Sequence, residues 1–201
     1  MEATDRVRLD LGVPLRAAVG VVLVVGRVVV DQAVSLVGFR AQNHPQQTAN
    51  PAVDDRAITN QDFLPLHARF GFTIDVAASH ANTKLPRYWT ADDNALEHSW
   101  AAERVWCNPP YSDIRPWVEK AWDERYAQLI VMLLPANRVE QSWWQELVEP
   151  YRDGRGSNTA HMLRVEFLPG RMRFDRPGAV IGPKGDRPPF GCCLLIWRPH
   201  A

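Results

Sequence analysis

The sequence predicts an α/β protein built around one open β-sheet. Residues 128–135 (QLIVMLLP) form an almost continuous apolar run, residues 113–126 carry apolar side chains at helical spacing, and two strand-like segments near the C-terminus have no helix between them. A continuous apolar run is typical of a strand buried on both faces of a parallel sheet, and consecutive strands favour an antiparallel pair. The expected fold is an open, mostly parallel sheet with an antiparallel C-terminal edge strand.

The elements follow in chain order from Thr59. Thr59 and Asp62 predict the capped start of a short helix that Gly71 ends. Residues 72–77 (FTIDVA) predict a short buried strand that ends on a carboxylate, and residues 104–108 (RVWCN) predict a strand that runs into a turn. The remaining elements are a helix over 113–126 with Pro116 in its first turn, a strand over 128–135, a helix over 139–149, and strands over 161–168 and 190–197.

The composition is that of an ordinary globular protein. Of 201 residues, 46% are hydrophobic and 23% are charged, and 23 basic side chains balance 23 acidic ones. A net charge of zero excludes a protein that binds nucleic acid by bulk charge alone. The charge is uneven, however, because residues 51–150 have nine basic and fifteen acidic side chains, whereas residues 151–201 have nine basic and four acidic ones. A contact with phosphate is therefore expected to be local and to involve the C-terminal loops.

The N-terminal region differs in character from the rest of the chain. Residues 17–30 form a valine-rich tract that Arg27 interrupts after ten residues, whereas a membrane span needs about 20 apolar residues. Residues 41–57 are polar and are interpreted as a linker. We therefore expect residues 1–55 to lie outside the functional domain, residues 56–201 to form it, and no stable membrane association.

The cysteines indicate a reducing compartment. Cys107, Cys192 and Cys193 cannot form a disulfide framework, and the adjacent pair is too close in the chain for an ordinary bridge. No Cys/His cluster has the spacing of a zinc site. The sequence therefore predicts a cytoplasmic protein without a bound metal.

The chemistry is predicted at residues 108–111, Asn-Pro-Pro-Tyr, directly after the second predicted strand. The two prolines fix the backbone and remove two N–H groups, which holds the Asn108 amide and the Pro109 carbonyl in one orientation. Two acceptors then point at a single exocyclic amine, and Tyr111 offers a face on which a planar group can stack. Together with Pro110, these residues predict a site preorganised for alkyl transfer to an amine. The alternative is a proline-stiffened turn with Tyr111 as a core aromatic.

In their order along the chain, these motifs resemble the phage-type DNA N6-adenine methyltransferase (Dam-like) family, which depends on S-adenosylmethionine. The matching segments are residues 70–84 (FGFTIDVAASHANTK), residues 87–100 and residues 105–111 (VWCNPPY), followed by W-V-E-K-A-W, V-M-L-L-P and a terminal P-P-F-G strand. The resemblance implies a Rossmann-like methyltransferase fold and methyl transfer to an adenine flipped out of double-stranded DNA. It also implies a bacterial or phage-infected host cell.

The resemblance assigns the cofactor site in part to the strand that ends at Asp75. Asp75 matches the acidic residue of the cofactor motif, and a carboxylate at the carboxyl end of a strand faces the crevice in which α/β sheets bind ligands. Ala77 and Ala78 are implied to lie close to the methionine part of the cofactor. An N-cap for a following helix is the alternative role for Asp75.

Three further cofactor residues are implied. Asp92 and Asp93 match the segment that contacts adenosine in the family, and a solvated turn is the alternative. Thr59 matches the threonine of the Trp-x-Thr-Pro motif with which the family opens, although Ala57 and Asn60 replace the tryptophan and the proline.

DNA contacts are expected from polar and basic residues in the loops that follow the Asn-Pro-Pro-Tyr motif, with a solvated basic loop as the alternative for each of them. The candidates are Arg115, Asn137, Arg138, Arg171, Arg173, Lys184 and Arg187.

Two other functions remain compatible with the residues. A protein glutamine-N5 methyltransferase also carries Asn-Pro-Pro-Tyr, and the missing glycine motif after Asp75 is compatible with a non-catalytic nucleic-acid-binding module on a degenerate methyltransferase fold. Adenine N6 and cytosine N4 are both exocyclic amines on planar rings, so only the family match favours adenine.

Overall fold

A computed structural model describes residue 54 and residues 57–155, 162–175 and 187–199. The predictions for the valine-rich tract, for most of residues 1–55 and for Lys184 lie outside these residues. No helix within the described ranges is long and apolar enough to cross a membrane. The elements are β1 (Ala57–Ile58), α1 (Asn60–Phe70), β2 (Ile74–Asp75), β3 (Arg104–Cys107), α2 (Arg115–Asp123), β4 (Leu129–Pro135), α3 (Ser142–Leu147), a 3-10 turn (Arg152–Gly154), β5 (Leu163–Phe167), β6 (Phe174–Asp175) and β7 (Cys192–Trp197).

Five of the strands form one open mixed sheet in the order β2-β3-β4-β7-β5. Strands β2, β3 and β4 are parallel, with Val105 opposite Ile74 and Ile130. Strand β7 is antiparallel to both of its neighbours, and Leu195 lies opposite Met132 and Val165. Strands β1 and β6 form a separate antiparallel pair. The predicted open α/β sheet is confirmed, but only three of its five strands are parallel.

The prediction that the C-terminal strand forms the edge of the sheet is wrong. Strand β7 lies between β4 and β5, and β5 is the edge strand. The burial patterns give the reason, because every residue of β7 is buried, whereas Arg164 and Phe167 of β5 are exposed. A strand that is apolar on both faces needs a covered position inside the sheet, whereas an alternating strand tolerates the edge.

The core lies on both faces of the sheet because side chains alternate along its buried strands. In β4, Ile130 and Met132 belong to one hydrophobic cluster, and Val131 and Leu133 belong to the other. Helices α2 and α3 pack on the first face through Val118, Ala121, Trp143 and Trp144. Helix α1 packs on the second face through Phe63, Leu66 and Phe70, next to Ile58 and Phe174 of the β1–β6 pair.

Aromatic packing fixes α1 on its face of the sheet. The ring of Trp106, in β3, lies 5.3 Å from that of Phe63 and 5.2 Å from that of Phe72. Burial of one such tryptophan contributes about 3–5 kcal/mol to stability, judged by the usual cost of truncating it to alanine. The position of α1 is therefore tied to the strand that leads into Asn108.

The ends of the helices differ in part from the prediction. Thr59 occupies the N-cap position of α1, but its side chain makes no capping hydrogen bond, so the predicted side-chain cap is wrong. The carboxylate of Asp62 instead accepts a hydrogen bond from the Arg173 N–H at 2.7 Å, which holds the segment before β6 against α1. Gly71 ends α1, as predicted, and it does so in the left-handed conformation. Helices α2 and α3 are shorter than predicted.

The parallel strands end together at what we call the carboxyl rim. It comprises the ends of β2, β3 and β4 at Asp75, Cys107 and Pro135, and the segments that follow them. Strand β7 is antiparallel to β4, and β5 is antiparallel to β7. The start of β7 at Cys192 and the end of β5 at Phe167 therefore belong to the same rim. The topology thus gathers loops from distant parts of the chain, as open α/β sheets do at their ligand-binding edge.

The left-handed backbone of Gly71 predicts a stability difference between two glycine substitutions. Gly71 has φ of 61°, and an added Cβ would lie 3.5 Å from its nearest neighbour, so Gly71→Ala meets backbone strain rather than a clash. We expect Gly71→Ala to lower the free energy of unfolding by about 1–2 kcal/mol. Gly191→Ala is the matched control, because its Cβ would meet nothing closer than 3.9 Å. Denaturant unfolding measures both, and equal stabilities of the two variants would contradict the prediction.

Candidate active site

Asp75 organises the segment that follows β2. Its carboxylate is buried, and it accepts hydrogen bonds from the backbone N–H of Lys84 at 3.1 Å and of Ala77 at 3.4 Å. Burial raises the pKa of Asp75 to about 6, although these hydrogen bonds pull the pKa back down. The carboxylate thus fixes a loop over residues 76–84 rather than capping a helix.

A second segment runs alongside β2 and brings the next turn to this loop. Asp75 donates its N–H to the Arg87 carbonyl at 3.0 Å and accepts at its own carbonyl from the Trp89 N–H at 2.9 Å. The Ala78 N–H then bonds the Trp89 carbonyl at 3.1 Å. This short parallel pairing adds to the rim the turn over residues 90–95.

Asp93 shapes that turn from the solvent side. Its carboxylate accepts from both the N–H and the hydroxyl of Thr90, each at 2.8 Å, and these hydrogen bonds lower the pKa of Asp93. Asn94 follows with φ of 52°, a left-handed conformation that asparagine tolerates better than most residues. Asp92, Asp93 and Asn94 are exposed, whereas Thr90 is half-buried.

The two segments and the Asn108 turn enclose a cavity of about 420 Å³ at the carboxyl rim. Of the predicted site residues, the cavity lining includes Ala77, Ala78, Asn108 and Pro110. The lining does not include Thr59, Asp75, Asp92, Asp93, Pro109 or Tyr111. The remaining lining residues are Asp54, Val76, Ser79, Asn82, Thr90, Ala91, Asn94, Ala95 and Trp117.

The chemistry of the lining suits a small amphipathic cation. Its walls are small apolar side chains with amide and hydroxyl groups, and Asp54 is the one ionisable residue among those that line it. The volume lies within the usual range of small-molecule sites, about 300–1,000 Å³. Within the described ranges, no three His, Cys, Asp or Glu side chains are grouped so that they could hold a metal ion.

Asn108 and Pro110 of the turn over residues 108–111 line the cavity at the end of β3. The Tyr111 hydroxyl donates a hydrogen bond to the Asn108 side-chain oxygen at 3.1 Å, which orients the amide from within the turn. The Tyr111 ring lies edge-on to Phe174 and Phe190, each at 6.3 Å between ring centroids. Tyr111 is therefore packed as a core aromatic on one side and bonded to the Asn108 amide on the other.

The segments that carry most of the predicted DNA contacts meet at the same rim. The Ala136 N–H bonds the Gly191 carbonyl at 2.9 Å, and the Leu168 N–H bonds the Cys192 carbonyl at 2.9 Å. These bonds bring together the segments after β4, after β5 and before β7. Three exposed candidates, Asn137, Arg171 and Arg187, lie on these segments.

The remaining described candidates have internal partners or are partly buried. Arg115 forms ion pairs with Glu119 and Glu146, so two carboxylates offset its charge. Arg173 lies 3.6 Å from the Asp62 carboxylate. Arg138 is half-buried, and its Nε has no hydrogen-bond partner among the described residues.

Sequence reasoning missed several residues that line the cavity. Ser79 and Asn82 lie in the segment after β2, so the rule that ligands bind beyond the carboxyl ends of parallel strands could have found them. Trp117 was expected only as an apolar residue of α2, because its spacing is that of a core position. Asp54 lies 58 positions before its hydrogen-bond partner Ser112, and no local pattern marks it.

Thr59 also stands apart from the cavity. Its hydroxyl is buried and has no hydrogen-bond partner within the described part of the chain. Its backbone N–H bonds the Arg173 carbonyl at 2.9 Å. The geometry therefore gives Thr59 a place at the junction of α1 and β6.

Comparison with known proteins bears on the identity of this site. Residues 47–199, about three quarters of the chain, match the family described as DNA N-6-adenine-methyltransferase (Dam). The DNA N-6-adenine-methyltransferase of Escherichia phage T1 is 34% identical over 99 residues, which cover 47% of this chain and 41% of that protein. The protein of the same name from Haemophilus phage HP1 (strain HP1c1) is 35% identical over 65 residues, which cover 31% of this chain and 38% of that protein.

The matches to these two curated relatives thus span about two fifths of the relatives' own length. The family match is much longer, and it contains the Asn108–Tyr111 turn, the loop that Asp75 organises and every described segment of the rim. It begins at residue 47, ahead of the domain start expected from composition. The chain belongs to the DNA N-6-adenine-methyltransferase (Dam) family.

Proposed function

We propose that this protein transfers a methyl group from S-adenosylmethionine to the N6 amine of adenine in double-stranded DNA. The observation that carries the proposal is the position of the Asn108–Tyr111 turn, which forms one wall of the cavity at the carboxyl rim. Cofactor site and catalytic turn are thereby adjacent, as transfer between two bound groups requires. The family match and the names of the phage relatives support the same activity. Such an enzyme would act inside a bacterial or phage-infected cell.

In this proposal the cavity holds the cofactor. Methyltransferases of the Dam family use S-adenosylmethionine, which supplies an electrophilic methyl group on a sulfonium when it is bound. Asp54 offers a carboxylate to the positive charge of such a ligand, and the small side chains of Ala77 and Ala78 leave room for it. Thr90 and Asn94 offer hydrogen-bonding groups at the turn that Asp93 supports. The sheet with its ligand at the carboxyl rim supports a Rossmann-like methyltransferase fold.

The role of the Asn108 turn is to hold the amine of the target base. The Asn108 side-chain oxygen and the Pro109 carbonyl accept hydrogen bonds from the two amino N–H groups, which raises electron density on the nitrogen and aligns its lone pair. Tyr111 keeps the amide oriented through the hydrogen bond at 3.1 Å and offers its ring to the base. Because the turn lies at a recessed rim, the adenine has to leave the stack to reach it.

DNA is proposed to lie across the carboxyl rim. Arg171 and Arg187 are exposed there, whereas Arg115 and Arg173 are engaged in ion pairs and are expected to contribute less to phosphate binding. The excess of basic over acidic residues in 151–201 supports this side of the molecule. We also propose that the catalytic domain begins ahead of Asp54, because the family match starts at residue 47 and Asp54 lines the cavity.

The first prediction tests the reaction itself. Incubation of the full chain with labelled S-adenosylmethionine and unmethylated DNA, followed by nucleoside analysis, is expected to give N6-methyladenine. We expect Asn108→Ala to lower the rate at least about a hundredfold, because it removes a preorganised polar group from the reacting amine. Calorimetry should find cofactor binding to this variant close to that of the wild type.

The outcomes of this experiment separate the proposal from its alternatives. Near-normal transfer by Asn108→Ala would refute the catalytic assignment. N4-methylcytosine as the product would show that the target base is cytosine and not adenine. Methylation of glutamine in a protein substrate without DNA methylation would favour a protein methyltransferase, and DNA binding without any transfer would favour a non-catalytic module.

The second prediction concerns the DNA-binding face. We expect replacement of both Arg171 and Arg187 by alanine to weaken binding uniformly across DNA sequences. It should also flatten the dependence of log K on log salt by about one for each lost phosphate contact. Arg198→Ala is the control, because Arg198 is also exposed but follows the carboxyl end of β7, away from the rim. An unchanged salt slope in the double variant, or an equal change in the control, would remove these residues from the DNA face.

The third prediction follows from the raised pKa of Asp75. The folded chain takes up a proton at Asp75 near pH 6, whereas an unfolded aspartate does so near pH 4. Between these values the folded state holds more protons, so the free energy of unfolding falls as the pH rises. Asp75→Asn cannot ionise. From pH 4 to pH 7 we therefore expect its stability to fall by roughly 2–3 kcal/mol less than that of the wild type. Identical pH profiles in denaturant unfolding would contradict the prediction.

A further inference from the structure

The Asn-Pro-Pro-Tyr turn is held at its far end by a residue that precedes the first strand. Ser112 follows Tyr111 directly, and both of its polar groups bond the Asp54 carboxylate. The Ser112 hydroxyl donates to Oδ2 at 2.7 Å, and the Ser112 N–H donates to Oδ1 at 3.2 Å. A hydrogen bond to a charged acceptor is shorter and stronger than one between neutral groups. Two such bonds from one carboxylate fix Ser112 in both position and orientation.

The anchored residue matters because the turn has only two attachments to the fold along the chain. At its start, Asn108 continues from β3, whose Cys107 is fully buried. At its end, the chain passes through the exposed Ser112 and Asp113 before it reaches buried Ile114. The two prolines stiffen the turn internally, and the Tyr111 ring packs it against the core. The Asp54–Ser112 contact adds an anchor just beyond the turn, on the side away from β3.

Asp54 also belongs to the cavity that the turn borders. It is the one ionisable residue among the described residues of the lining, so the same carboxylate faces the proposed cofactor site and bonds the turn. Both oxygens of this carboxylate bond Ser112, and the neighbouring Tyr111 hydroxyl in turn bonds the Asn108 amide. We propose that Asp54 is a positioning residue that sets the Asn108 turn against the cofactor cavity, an inference that rests on the proposed function.

The proposal gives residues ahead of β1 a part in the site. Composition alone places Asp54 in a polar linker, outside the functional domain. If Asp54 holds the turn, a chain that begins at Asp55 keeps the Asn-Pro-Pro-Tyr motif but loses the anchor at its far end.

The kinetic test uses the full chain and a pair of substitutions at Ser112. Ser112→Ala removes the hydroxyl donor and leaves the Asp54 carboxylate in the cavity, so we expect kcat for methyl transfer to fall about tenfold while the KM for the cofactor stays near its normal value. Ser112→Thr keeps the hydroxyl at an exposed position and should restore kcat. Ser99→Ala is the matched control, because the Ser99 hydroxyl also bonds a carboxylate, that of Glu124 at 3.3 Å, but does not line the cavity. An unchanged kcat in Ser112→Ala, or a threonine variant as slow as the alanine variant, would overturn the proposal.

A second measurement does not depend on catalysis. Residues 108–112 contain only three backbone N–H groups, at Asn108, Tyr111 and Ser112, because the two prolines have none. Hydrogen exchange of this segment in Asp54→Ala should be about tenfold faster at Ser112, while exchange in β4 stays unchanged and shows that the fold is intact. Unchanged exchange at Ser112 would refute the anchor even in an active enzyme. If the wild type transfers no methyl group, the proposed function fails, and the exchange result still decides whether Asp54 holds the turn.

Discussion

The site depends on one constraint, the burial of β4 between parallel and antiparallel neighbours. All seven residues of β4 are buried, so the strand must have a paired strand on each side and a covered face above and below. Strand β3 satisfies one side in parallel, and β7 satisfies the other in the antiparallel sense. Once this register is set, Cys107 pairs with Met132 and Cys192 with Pro135. The rim and everything on it follow from these pairings.

The rim also reconciles a neutral chain with the DNA substrate proposed for it. Bulk charge would draw DNA to any face, whereas this chain has acidic and basic residues in different regions. Some basic side chains also make contacts within the fold. Arg69 pairs with Glu166 at 2.6 Å, and Arg104 donates hydrogen bonds to the carbonyls that end α1. Arg171 and Arg187 are the DNA-contact candidates among the arginines that stay exposed at the rim. In the proposed function, a small number of local phosphate contacts would position the duplex without strong non-specific binding.

The sequence predicted those parts of the fold whose signals are local. The run at 128–135 and the helical spacing at 113–126 gave β4 and α2, and the four contiguous residues from Asn108 gave the proposed catalytic turn. The positions of β7 and β5 were predicted wrongly because periodicity identifies a strand but not its neighbours. In the turn over residues 90–95, Asp92 and Asp93 were proposed for the cofactor site, whereas Thr90 and Asn94 line the cavity. The carboxylates were the more noticeable residues, although Asp93 acts by holding Thr90 in place.

Contacts between residues far apart in the chain could not be predicted, because no local sequence pattern indicates them. The bond between the Asp54 carboxylate and the Ser112 N–H spans 58 positions, and the bond between the Asp62 carboxylate and the Arg173 N–H spans 111. Each joins a side chain with no distinctive sequence context to a backbone N–H, and only the tertiary fold brings such groups together. The side-chain cap expected at the start of α1 is absent, and Asp62 instead holds the segment before β6. The DNA contact of Arg173 stays a prediction.

Tyr111 shows why the turn can be rigid although it lies at a rim. The two hydrophobic clusters occupy opposite faces of the sheet, and the Tyr111 ring packs against both of them where β3 ends. Its hydroxyl meanwhile bonds the Asn108 amide. A residue fixed by two cores cannot reorient without disturbing one of them, because protein interiors are close-packed. Preorganised acceptors at a reacting amine require such fixed supports, since a displacement of about 1 Å can cost a hundredfold in rate. The aromatic core of the fold and the geometry of the proposed reaction are therefore joined at this one side chain.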